Sequence, residues 1–189
     1  MPAISTTLEL IRQKLNGFLQ RAAPENQEWV TLTNLVDHEG NALEQTKNRV
    51  VMSLIHIRPE NRVVSTYDPV VPSHTSAVVW APPLYIDLYV HLYANFSDKN
   101  YSQGLVMISE TISFFQQHPV FTDENLPGLD TVTNKLTFEM VSLDFADLNY
   151  LMGLLGAKYL PSVYYKVRLI PFINDARSGE PSQASDSKA

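Results

Sequence analysis

Cysteine is absent from the 189 residues. Neither a disulfide framework nor a thiolate metal site is available, nothing points to an oxidising compartment, and the cytoplasm is the expected location. Basic residues are few: 14 Lys and Arg stand against 20 Asp and Glu, a formal charge of -6. Such a chain opposes a polyphosphate backbone, whose binding depends on cations that displace counterions, so no nucleic-acid partner is expected. Long apolar runs are missing as well. No stretch approaches the roughly 20 apolar residues that span a bilayer. The start, Met1 to Thr7, has neither the basic opening nor the apolar run of a signal peptide, so a soluble chain without membrane insertion is expected.

The usual catalytic constellations are lacking too: there is no G-x-G-x-x-G, no P-loop, no G-x-S-x-G and no H-E-x-x-H. The one S-x-x-K match, Ser185 to Lys188, falls in a polar tail that cannot preorganise it. Five histidines are scattered, and only Asp37-His38-Glu39 places acid and imidazole together, in a turn-prone stretch where such residues are ordinary. Asp87 and His91 share a strand face but stand about 13 Å apart at 3.3 Å per residue, too far for a dyad. The chain therefore reads as a non-enzyme without cofactor or metal.

What is present is patterned for folding, and a chain of this length buries roughly 70% of its unfolded surface without staples. Leu8, Ile11, Leu15, Phe18 and Leu19 recur at helical spacing, with Thr6 and Glu9 placed as a capping box and Pro24 beyond the end. Trp29 to Leu35 and Asn48 to Ile57 are β-rich. The turn residues Asp37 to Asn41 between them suggest an antiparallel pair with a long hairpin loop. Tyr67 to Pro83, with four prolines, reads as an irregular loop suited to binding or assembly.

In Leu84 to Tyr93 strict period two puts Leu84, Ile86, Leu88, Val90 and Leu92 on one face and Tyr85, Asp87, Tyr89, His91 and Tyr93 on the other. Ser97 or Asp98 then caps a second helix with the stripe Tyr101, Leu105, Ile108, Ile112 and Phe115, stopped at His118-Pro119. Lys135 to Leu143 follows as a strand. Asp144 to Leu155 is a third helix, with Phe145, Leu148, Met152 and Leu155 aligned and Gly156 as its C-terminal cap, and the stripes of all three helices are expected to face the core. Ser162 to Phe172 is the last strand. The expected class is α+β, a mostly antiparallel sheet with helices on one face. Residues 1–173 form the domain, and the polar stretch 174–189 is too poor in apolar residues to order itself.

Tyr couples an apolar body to a polar tip, so the row Tyr85, Tyr89 and Tyr93 suits packing under a loop or helix, a subunit interface or a ligand-stacking platform, the first two before the third. Five stretches then carry a resemblance: Asn34-Leu-Val-Asp37, Asn48 to Leu54, Pro82 to Val90, Tyr101 through Gln116, and Leu154 to Arg168. In this order and spacing they resemble the cap, or tail-terminator, proteins of phage-tail-like contractile injection systems. The resemblance implies a tail-terminator-like fold and a homohexameric ring that ends the inner tube and contacts the last sheath layer, at the particle end distal to the baseplate. It implies the inner tube protein and the sheath protein as partners. A baseplate or neck ring of the same machinery is the alternative. An open sheet edge could exchange a strand with sheath; the final strand, with Val163, Tyr165 and Val167, is the expected edge.

Overall fold

The computed structural model describes residues 3–24, 27–60, 84–129, 135–154, 156 and 159–172. The expected loop from Tyr67 to Pro83, the polar tail from residue 174 and the Ser185 to Lys188 match lie outside them.

The first helix, α1 (Ala3–Ala22), buries the expected stripe: Leu8, Ile11, Leu15 and Leu19 are sealed and Phe18 lies against them. It begins earlier than the capping box requires. Thr6 is exposed inside the helix, and Glu9 accepts hydrogen bonds from Arg12 Nε and Nη2, the latter at 2.7 Å. That pairing holds the Glu9 carboxyl below its ordinary range. One turn further along, Asn16 Oδ1 accepts the backbone N–H groups of Trp29 at 2.8 Å and Val30 at 3.1 Å. The helix thereby positions the start of β1 (Val30–Leu32).

β1 pairs with β2 (Arg49–Pro59) in parallel, Val30 opposite Val50 and Leu32 opposite Met52, which corrects the antiparallel hairpin expected from sequence. The turn residues are spent inside the connection. Asp37 Oδ1 accepts the N–H groups of Glu39 and Asn41, Gly40 takes φ +86°, and Val36 bridges Ala42 in a small hairpin of its own. The chain then passes through a 3₁₀ turn at Glu44–Thr46 and re-enters beside the beginning of β1. Two reversals in one connection restore the original direction, so the strong turn signal gave the wrong sense of pairing.

β2 pairs antiparallel with β3 (Leu84–Asn95), and β3 pairs antiparallel with β6 (Ser162–Phe172). A 3₁₀ turn at Asp98–Asn100 leads into α2 (Tyr101–Gln117); neither Ser97 nor Asp98 caps the helix through its side chain. The strands β4 (Val120–Phe121) and β5 (Leu136–Val141) pair antiparallel, and β5 lies against β6. β4 is too short for periodicity to reveal. The helix α3 (Phe145–Leu154) starts where Asp144 Oδ1 accepts the Asp147 N–H at 2.8 Å, and Gly156 follows it at φ +63°.

The sheet order is β1-β2-β3-β6-β5-β4. It is a mixed sheet, antiparallel except for β1 and β2, in an α+β fold. One face, including Val50, Met52, Leu88, Val90, Leu92 and Val167, packs against α1 and α2 as the main core. The alternation in β3 is as expected. α3 is on the other face: Met152 and Leu148 pack with Val51 and Tyr93, which sit opposite each other in the β2/β3 ladder and point away from Met52 and Leu92. The expectation of helices on one face is corrected, because a ten-residue helix with little more than Leu148 and Met152 turned inward closes a separate small cluster.

Candidate assembly surfaces

The sheet separates the sequence-selected residues by parity. Val163, Tyr165 and Val167 face the main core and are buried there, with Tyr165 against Phe115 at 4.4 Å between ring centres. Burial pushes the Tyr165 hydroxyl up to about 12. Their strand is interior: β6 is flanked by β3 along its length and by β5 from Tyr164 to Arg168. The proposed open edge is therefore corrected. Being last in the chain does not place a strand last in the sheet, and among the described residues the outermost strands are β1 and β4.

On the second face the tyrosine row splits. Tyr93 is fully buried under α3, whereas Tyr85 and Tyr89 are half-buried, Tyr89 beside His56 at 5.6 Å between ring centres. Between them lies polarity that the alternation alone could not interpret. Asp87 Oδ2 meets Lys166 Nζ at 2.7 Å, and Glu60 Oε2 stands 3.7 Å from the same ammonium. Burial raises the Asp87 carboxyl, against the lowering pull of Lys166. His91 is sealed between Tyr93 and Tyr164, with ring centres 3.7 and 3.8 Å away. Neither of its ring nitrogens has a hydrogen-bond partner among the described residues. Burial drives its pKa to about 3, so the imidazole is neutral.

In this arrangement Asp87 is engaged by a lysine and His91 is closed off by rings. No group of three His, Asp or Glu side chains could hold a metal among the described residues, and Asp37-His38-Glu39 is a turn with His38 and Glu39 exposed. No helix among them is long and apolar enough to cross a membrane.

Two exposed apolar surfaces were missed by sequence reasoning, which assigned the helical stripes to the core. On α2 the buried positions are Gly104, Met107, Ile108, Thr111, Phe114 and Phe115, leaving Tyr101, Leu105 and Val106 in solvent. The signal was the run Leu105-Val-Met-Ile108: four consecutive apolar residues cover every side of a helix and cannot all face one sheet. On α3, Phe145 is 92% exposed, and Tyr150 and Leu154 also point outward.

The structure matches the sheath/tube terminator of PVC, an extracellular contractile injection system, in its extended state. The TM-score is 0.52 at 13% identity, covering 95% of this chain and 62% of that one. A second match is the tube-terminating cap of the anti-feeding prophage, with TM-score 0.49 and 11% identity over 95% of this chain and 60% of that one. The chain thus spans about three fifths of the length of these proteins. No curated protein matches it. Residues 6–184 match the profile of the Pvc16 N-terminal domain, and the chain belongs to that family.

Proposed function

We propose that the chain is a structural cap of a contractile injection system. Six copies form a ring on the end of the inner tube distal to the baseplate and engage the last sheath layer, without catalysis. Family membership over residues 6–184 carries this reading, and the likeness of fold to a sheath/tube terminator supports it. The physics is consistent. Tube and sheath grow through heterologous contacts that do not close, so growth needs a subunit that matches the end on one side and offers no copy of that end on the other. The half-buried Tyr85 and Tyr89 are the members of the tyrosine row left with surface to give to such a partner.

Assembly in the cytoplasm, before release of the particle, fits the cysteine-free composition. Length control tests the function. Tube and sheath proteins assembled with this chain should give particles of narrow length distribution, and without it tubes and sheaths that overrun. Equal length distributions with and without the chain would contradict a terminating role.

A further inference from the structure

The outward surfaces of α2 and α3 lie on opposite sides of the sheet. Tyr101, Leu105 and Val106 are 50%, 40% and 53% exposed on one side; Phe145, Tyr150 and Leu154 are 92%, 70% and 67% exposed on the other. Leu105 follows Tyr101, and Leu154 follows Tyr150, by four residues, so each pair shares one side of its helix, whereas Phe145, nine residues before Leu154, lies on the other side of α3, exposed at its first turn. Two apolar patches on opposite sides of the sheet cannot be covered by one twofold contact, which uses the same surface twice and leaves the other in water. Charge disfavours the twofold pairing of α3 as well. Asp144 and Asp147 border its patch and would face their own copies, whereas Asp98 and Lys99 at the border of α2 balance each other. Lys99 makes no ion pair among the described residues and is available to the carboxylates of α3.

We propose that the outer face of α2 in one copy packs on the outer face of α3 in the next, a head-to-tail contact that repeats around the ring. This rests on the ring proposed above and assigns its interface.

The absence of cysteine makes the test direct. Val106→Cys and Leu154→Cys replace exposed side chains in the full chain, singly and together, and a short bis-maleimide is added in solution and after loading onto tube and sheath. The double variant should give a ladder of covalent oligomers closing at the ring. An equimolar mixture of the single variants should stop at dimers, and each single variant alone should remain a monomer on a denaturing gel. Dimers from a single variant would overturn the inference in favour of a twofold contact. No intermolecular product from a double variant that still forms rings, seen by sedimentation or electron microscopy, would overturn it by placing the contact elsewhere and would leave the ring reading intact. Absence of rings in solution and on the tube would remove both.

Discussion

Asp87 on β3 and Lys166 on β6 meet at 2.7 Å between Oδ2 and Nζ, on the sheet face turned away from α1 and α2, with Glu60 3.7 Å from the same nitrogen. One ammonium thus serves two carboxylates, of which the Asp87 side chain is 2% exposed. Removing the cation leaves both acids without it. Lys166→Met is expected to lower stability by about 3 kcal/mol, the usual cost of orphaning a buried charge. Asp87→Asn, which leaves Glu60 with the lysine, is expected to cost less. Urea unfolding at pH 7 of the three chains checks the order, and equal losses would show that the cluster does not act as a unit.

His91 sets an acid limb of stability. Its folded pKa is about 3 against an ordinary value of 6.5, so below pH 6.5 the unfolded chain takes up a proton that the folded chain refuses. The His91 contribution is complete above pH 6.5 and is lost as pH falls toward 3. At about 1.4 kcal/mol per pKa unit, the loss is on the order of 2 kcal/mol by pH 5. The Asp87 carboxyl, raised by burial, responds in the opposite sense in acid, so a comparison at His91 isolates the effect. His91→Phe should unfold at the same or higher urea concentration at pH 7 and lose less between pH 7 and pH 5 than the parent.

Asn16 ties α1 to the one parallel strand pair among the described residues. Its Oδ1 satisfies two backbone donors, Trp29 N–H and Val30 N–H, at the entry to β1. Asn16→Ala should cost about 1–3 kcal/mol, the penalty for leaving buried donors unpaired. It should also speed hydrogen exchange at Trp29 and Val30 before it affects the β3/β6 ladder. Unchanged exchange at those two amides would contradict the role given to Asn16.

Gly104 on α2 lies tight against Phe96, just after β3. A Cβ there would sit 3.0 Å from the Phe96 ring, which stacks on Trp29 at 6.4 Å between centres. Gly104→Val should destabilise by about 1–3 kcal/mol through overpacking, with β-branching adding to the loss. A shift in Trp29 fluorescence should accompany it. The same substitution at Gly17, which has open space around it, should leave that fluorescence unchanged.

Periodicity made much of this fold legible. The α1 stripe, the alternation of β3 and the bounds of β6 follow from spacing, because a residue's neighbours at two or three to four steps are local facts. Pairing is not local. Nothing in Ser162 to Phe172 tells that this strand inserts between β3 and β5, and the Asp37 to Asn41 turn could not reveal that a second reversal at Glu44–Thr46 restores a parallel direction. The candidate surface suffered most. Val163, Tyr165 and Val167 were placed at an edge by chain order and lie in the core, while Tyr101, Leu105 and Phe145 were placed in the core by helical spacing and lie in solvent. A stripe identifies a side of a helix, but only the packed structure identifies what that side meets.

Electron microscopy of tube and sheath assemblies carrying this chain tests the account most directly. A sixfold ring at the end opposite the baseplate, closing tube and last sheath layer, is the predicted result. Density at the baseplate or neck instead, or at neither end, would contradict it.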